Sequence, residues 1–428
     1  MAVLKNSGRI AMGLAKSDGF PYTDLYRTFH KRERFVDNAL KKRIKRHLIG
    51  REHAFFAITA PGLETMCQAE LNHLHTDIKN ISRQPGGVEF TGRLHGLYHA
   101  NLHLRTAGRI LMRITTFRVT NFRQLAKKAS QIPWELFLNP ALQPMLHTSA
   151  TRSRLFHTTA VEEIIHTAIE NQYGPARPSP KNGADPLVQH IFVRLDNDIL
   201  TLSMDSSGDL LYKRGIKTHG GKAPLRETMA AFALKEAGFD GNRPLIDPMC
   251  GTGTFTLEGI LIKRAIPPGW FRRFAFMDWP CFQPGRWTHE RREAEKQIHP
   301  SPIAPALFAS DMDAESVEQL ARTLKTANLA DDALLSCSDF FTLSPDRFTD
   351  TQGVITLNPP YGIRLATEKE SSRMFDHILK KLVSDYSGWR VALIASEVNQ
   401  NKRLPFPVKR HPLIHGGLKL TMLIGHIP

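Results

Sequence analysis

The chain has 428 residues, 41% hydrophobic and 23% charged, which exceeds one ordinary core and suits two or three globular domains. It has no apolar run of the roughly 18 residues a spanning helix needs, and its net charge of +16 suggests a polyanionic partner, nucleic acid ahead of an anionic membrane surface. Cys67, Cys250, Cys281 and Cys337 are scattered without a C-x-x-C pair, which argues against a zinc or iron–sulfur site and against a secreted disulfide scaffold, and fits a reducing cytoplasm.

Residues 1–50 carry 12 Lys/Arg against 4 Asp/Glu, half of the whole positive excess. Their densest part is Lys41-Lys42-Arg43-Ile44-Lys45-Arg46. This is either an arm that pairs with phosphates or a solvated, poorly ordered extension. The short stretch Ile10–Ala15 contains Gly13 and is no secretory signal; an organelle transit peptide is a weaker alternative.

From His53 the pattern turns globular. A strand at 55–59 leads to an amphipathic helix with Leu63, Met66, Cys67 and Leu71 on one side. Gly86-Gly87 opens a short strand at 88–90. A helix over 94–106 and a strand over 110–114 follow. His95, His99 and His103 share one face of that helix; with no carboxylate or cysteine to complete a metal set, a solvated or RNA-facing stripe is expected. A helix at 161–170, a Pro/Asn/Gly-rich loop at 175–186, and strands at 190–195 and 200–204 around Asp196-Asn197-Asp198 form another α/β unit. The join between the two halves falls in 214–222.

The C-terminal half has the rhythm of a doubly wound parallel sheet. A helix is expected over 225–237, then strands at 244–247, 306–311, 333–337, 354–357, 389–395 and 418–425. Residues 264–304 interrupt this rhythm with Trp270, Phe274, Phe276, Trp279 and Trp287 among arginines. They either stack RNA bases or, the favoured reading, form a lid whose aromatics pack on the sheet.

The chemistry lies at the strand ends, where open α/β sheets bind ligands. Asp247-Pro248-x-Cys250-Gly251-x-Gly253-Thr254 lets the backbone approach a ligand at a helix start, with Thr254 as its cap. A dinucleotide enzyme would want a glycine at 256, which is Thr256, and this counts against NAD. Asp311 suits ribose hydroxyls and Asp339 an adenine amino group, while Asp313 suits a helix cap. Three acids at three strand ends beside a glycine loop describe a nucleoside pocket, best suited to S-adenosyl-L-methionine. In Asn358-Pro359-Pro360-Tyr361, the Asn358 side-chain oxygen and the Pro359 carbonyl can accept both N–H bonds of an exocyclic amine, and Tyr361 can stack on a flipped base. No cysteine lies in this turn to serve C5-pyrimidine chemistry.

Ala223-Pro-Leu-Arg-Glu-Thr228, Asp247-Pro-Met-Cys-Gly-Thr-Gly-Thr254 and Asn358-Pro-Pro-Tyr-Gly362 resemble the THUMP-domain RNA guanine-N2 methyltransferases, nearest to the bacterial 23S rRNA type. The resemblance covers about residues 53–428, including Gly62-Leu-Glu64, Ser207-Gly208 and Arg214-Gly215. It implies an α/β chain with a ferredoxin-like part over 51–93, a THUMP RNA-binding domain over 94–206, a linker over 207–222, and a seven-stranded class I, Rossmann-like methyltransferase domain over 223–428; the basic extension over 1–50 falls outside it. It also implies S-adenosyl-L-methionine as cofactor, with Pro224 and Leu225 bordering it, RNA as partner (rRNA first, tRNA as a close variant), and neither metal nor membrane. The chain stops after the seventh strand, without the second methyltransferase fused in some relatives. His415-Gly416-Gly417 stands where relatives often have Asn-Gly. An RNA-binding assembly protein with secondary catalysis and a nicotinamide oxidoreductase are the competing classes.

Overall fold

The computed structural model describes residues 38–74, 76–173, 188–217, 225–302, 306–360, 367–415 and 417–428. The chain forms two units, residues 1–43 and 44–428. In the first, the described part is the start of helix Asn38–Ile44; most of the basic 1–50 stretch lies outside the described residues, as does the loop at 175–186.

The second unit holds two seven-stranded sheets. The first comprises β1 (His53–Thr59), β2 (Lys79–Gln84), β3 (Gly87–Gly92), β4 (Ala107–Arg118), β5 (Gln143–Thr151), β6 (Val188–Asp196) and β7 (Ile199–Asp205), ordered β2-β3-β1-β4-β7-β6-β5. Strand β4 joins its two parts: Ala107 to Met112 pair with β1, and Leu111 to Arg118 pair with β7. The β6–β7 hairpin closes on Asn197 and Asp198, with φ of 52° and 61°. Both residues tolerate this left-handed conformation, which matches the twist of the flanking strands.

The second sheet comprises β8 (Leu245–Asp247), β9 (Leu307–Asp311), β10 (Leu334–Cys337), β11 (Val354–Leu357), β12 (Arg390–Ser396), β13 (Val408–His415) and β14 (Leu418–His426), ordered β10-β9-β8-β11-β12-β14-β13. Strands β8 to β12 are parallel, and β14 and β13 run antiparallel. Both faces are covered, so β8 and β11 are buried along their whole length. Leu245 and Val354 enter one apolar core, and their neighbours Ile246 and Ile355 enter the other. The chain winds outward from β8 through β9 to β10, then returns to lay β11 against β8. That reversal opens a crevice at the carboxyl ends of β8 and β11.

Two expectations change here. The aromatics of residues 264–302 divide between two surfaces. Trp270 and Phe271 pack against the core of the second sheet, as expected, whereas others pack on helix Leu94–His103 of the first half: Phe276 stacks on Tyr98 at 4.5 Å, and Trp287 meets Phe276 at 5.4 Å. Trp279 Nε1 donates to Gln189 Oε1 at 2.8 Å. The reason is complementarity, since Tyr98 is buried and supplies the aromatic surface these rings need. The histidine stripe is likewise not solvated. His99 lies 3.0 Å from Glu290 of the inserted segment, His95 lies 3.0 Å from Asp77, and His103 stacks on His99. Burial lowers the His103 pKa to about 3. Among the described residues no His/Cys/Asp/Glu group suits a metal ion.

A buried set of charges completes this seam. Glu258, on helix Thr254–Lys263, accepts from Arg214 Nε at 2.7 Å and lies 3.6 Å from Arg105. Arg105 also donates to the Leu261 and Ile266 carbonyls, and Arg214 to those of Leu211 and Arg105. Arg272 donates to the carbonyls of Ser207, Asp209, Leu210 and Lys213. The described part of the expected linker is therefore gripped along its length.

Candidate active site at the strand ends of the second sheet

Strand β8 delivers Asp247 into the crevice. One carboxylate oxygen accepts from Thr256 N at 3.1 Å and from Thr256 Oγ1 at 2.7 Å. The other oxygen is buried without a partner among the described residues. Burial is the first cause that raises this carboxyl from 3.8 to about 7, and Asp311 adds to the rise. Thr256, the residue that departs from the dinucleotide pattern, thus serves to orient the acid. The tight loop that follows is tied to β9 by Cys250 N donating to Ser310 O at 2.9 Å. Cys250 is buried, and desolvation pushes its thiol pKa up, so it is no nucleophile.

The glycines have separate tasks. Gly251 has a φ of 50° and open space where a Cβ would stand, which leaves room for a ligand against the backbone. Gly253 has a φ of 77°, and a Cβ there would lie 2.3 Å from Leu320 Cδ1. Gly253, not Thr254, is the N-cap of helix Thr254–Lys263, and no side chain caps it. Thr254 is the first helical residue, and its hydroxyl accepts from Lys217 Nζ at 2.8 Å. The cap fails because the loop enters the helix through a left-handed residue, a geometry that favours glycine.

Asp311 ends β9. Its carboxylate accepts from Gly251 N at 2.8 Å and from Asp313 N at 3.0 Å. Asp313 caps the next helix, accepting from Glu315 N. Asp339 follows β10 and caps a short turn by accepting from Phe341 N at 2.9 Å. Pro248 is buried in the loop. Leu225 is 1% exposed and packs in the apolar core.

Strand β11 ends at Leu357, and the two prolines stop it. The Asn358 side-chain oxygen is buried without a hydrogen-bond partner among the described residues. Pro359 and Pro360 border a small cavity with Ser371, Met374, Phe375, Ser396 and Asn399. Tyr361 and Pro224 lie outside the described residues. The structure therefore brings Asp247, the glycine loop, Asp311 and Asn358-Pro359-Pro360 to the crevice edge of neighbouring strands. An unpaired buried acceptor costs about 1–3 kcal/mol, so Asp247 Oδ1 and Asn358 Oδ1 are explained if ligands supply their donors. The acids, the open loop and these two acceptors suit a nucleoside with an amino-acid tail.

Comparison with known proteins bears on the family. Residues 214–413 match the model of the RMKL-like methyltransferase domain, and residues 54–111 match the RlmL ferredoxin-like domain. The putative RNA methyltransferase YpsC of Bacillus subtilis is 31% identical over 350 residues, 80% of this chain and 87% of that protein. The chain belongs to the RMKL-like methyltransferase family. The ribosomal RNA large subunit methyltransferase K/L of Allochromatium vinosum is 30% identical over 88% of this chain but only 53% of its own length, so this RMKL-like chain spans about half of such K/L relatives. Among solved structures, SMU.472, a putative methyltransferase complexed with SAH, is 26% identical with a TM-score of 0.75, covering 88% of this chain and 99% of that one. A predicted N6-adenine-specific DNA methylase from Listeria monocytogenes is 26% identical with a TM-score of 0.76, covering 89% and 97%.

Proposed function

We propose that the chain is an S-adenosyl-L-methionine-dependent RNA methyltransferase acting on the exocyclic N2 amine of a guanine, in 23S rRNA. The observation that carries this reading is the buried, unpaired Asn358 Oδ1 at the end of β11, the strand that pairs directly with the glycine-loop strand β8. The cofactor supplies an electrophilic methyl on a sulfonium. Asn358 Oδ1 and the Pro359 carbonyl accept the two N–H bonds of the amine, draw its nitrogen toward tetrahedral geometry and aim its lone pair. With the cofactor bound, the nitrogen–methyl bond would form as the sulfur–methyl bond breaks, and the amine's extra proton would pass to solvent water. A ring nitrogen with an in-plane lone pair carries no N–H for these acceptors, so the pair favours an exocyclic amine. Tyr361 is proposed to stack on the base. Asp311 is proposed to hold the ribose, Asp339 the adenine amine, and the loop from Pro248 through Cys250, Gly251, Gly253 and Thr254 the tail, with Pro224 and Leu225 at the border.

RNA as the substrate rests on the net charge of +16 and on the relatives, which are named as RNA methyltransferases. For its delivery we propose a ferredoxin-like part followed by a THUMP module. The double pairing of β4 and the ferredoxin-like match over 54–111 favour placing their division inside β4, later than residue 93. A tRNA guanine is the second reading, because the same turn and the same module would serve it.

Mass spectrometry of nucleosides from a deletion strain tests this. Loss of N2-methylguanosine from large-subunit RNA, restored by the wild-type chain but not by Asn358→Ala, is the expected result. Loss confined to tRNA moves the substrate to the second reading, and loss of no N2-methylguanosine overturns both.

A further inference from the structure

Lys217 lies in the stretch that reads as a linker, yet its head group reaches the glycine loop. Nζ is 2.8 Å from Thr254 Oγ1 and 3.3 Å from Glu227 Oε1, and the side chain is 13% exposed. Thr254 opens the ten-residue helix Thr254–Lys263, whose first N–H groups have no intrahelical acceptor. Asp247, 1% exposed, presents its unpaired oxygen from the start of the same loop. One end of the pocket therefore combines a buried acid with an ammonium at a helix N-terminus.

This pairing has a chemical counterpart. The tail of S-adenosylmethionine, and of SAH, is a zwitterion with an α-ammonium and an α-carboxylate. Asp247 suits the ammonium. The carboxylate needs a cation, and Arg214 does not provide it, since Glu258 and the carbonyls of Leu211 and Arg105 take its donors. An ammonium has three donors, and among the described residues Thr254 and Glu227 engage two of them. They hold Nζ at the loop, while the helix N-terminus offsets the repulsion that Glu227 would exert on an incoming anion.

We propose that Lys217 binds the α-carboxylate of the cofactor's tail. The proposal rests on the reading that the chain binds S-adenosylmethionine. It makes the segment between the two halves part of the cofactor site, so the segment does more than connect them.

Calorimetry on the full chain tests it with two probes. One is SAH. The other is 5′-S-(3-aminopropyl)-5′-thioadenosine, which keeps the adenosine and the ammonium but lacks the carboxylate. Lys217→Met should weaken SAH about 30-fold and change the decarboxylated probe by no more than about twofold, while Lys217→Arg should recover most of the SAH affinity. Equal losses for both probes, or no loss for either, overturn the assignment. A measure independent of any variant's folding comes from the wild-type chain, which should prefer SAH over the decarboxylated probe by a similar factor; no preference overturns the proposal. A wild-type chain that binds neither probe overturns the cofactor reading itself.

Discussion

Two buried polar sets in this molecule have opposite character. At the seam, Arg214, Arg105 and Glu258 match one another's charge; Glu258 Oε2 and Arg105 Nη1 have no hydrogen-bond partner among the described residues, but they face each other as an ion pair at 3.6 Å. At the crevice, Asp247 and Asn358 each keep a buried oxygen without a donor. A closed set locks geometry and binds nothing further. An open set carries a desolvation cost that a ligand can relieve. The two meet on one helix: Thr254–Lys263 begins at the glycine loop and carries Glu258 at its middle. The first half therefore grips the element that frames the glycine loop.

Substitutions should separate the two sets. The largest effect expected is on chemistry: Asn358→Ala should slow methyl transfer at least about 10³-fold, with SAH affinity within about threefold and thermal stability almost unchanged, measured by single-turnover transfer and calorimetry. Next, Glu258→Ala should cost about 3 kcal/mol of stability in chemical denaturation, because it leaves Arg214 and Arg105 as unpaired buried cations. If Asn358→Ala destabilises as much as Glu258→Ala, the distinction between open and closed sets fails.

A smaller effect concerns pH. Asp247 has a folded pKa raised from 3.8 to about 7, first by burial. With the folded value above the unfolded one, the empty pocket holds a proton that the unfolded chain releases, so this group's contribution to stability falls as pH rises from about 4 to about 7. A cationic tail needs the carboxylate ionised. SAH binding should therefore expel that proton and weaken about fivefold between pH 7 and pH 6, and Asp247→Asn should remove the dependence. The smallest effect belongs to the seam. Trp279→Phe loses the bond to Gln189 and should cost about 1 kcal/mol with SAH affinity unchanged.

Most of the second sheet is legible in the chain because its central strands are short, fully apolar and followed by Gly, Asp or Pro-Pro. Val354–Leu357 and Leu245–Asp247 fall within a residue of their expected bounds. The strands that escape notice are β2, β5 and β13, and all three are sheet edges. An edge strand is half-solvated and can be polar, so Lys79–Gln84 and Gln143–Thr151 show no apolar run to read. Asp247, Asp311 and Asn358 stand out because a strand end fixes where each side chain must lie. Thr256 and Lys217 do not, since their roles depend on contacts made across the fold.

The sequence alone determined the two-part α/β plan, the glycine loop, the strand-end acids and the Pro-Pro turn. Each follows from local chemistry: which residues can bury, which must turn, and which break a strand. The tertiary structure decided the rest. It turned Phe276, Trp279 and Trp287 toward the first half, drew the histidine stripe into that seam and brought Lys217 to the glycine loop. These outcomes depend on which distant surface offers a ring, a carboxylate or a hydroxyl at contact distance, and no local pattern encodes that choice.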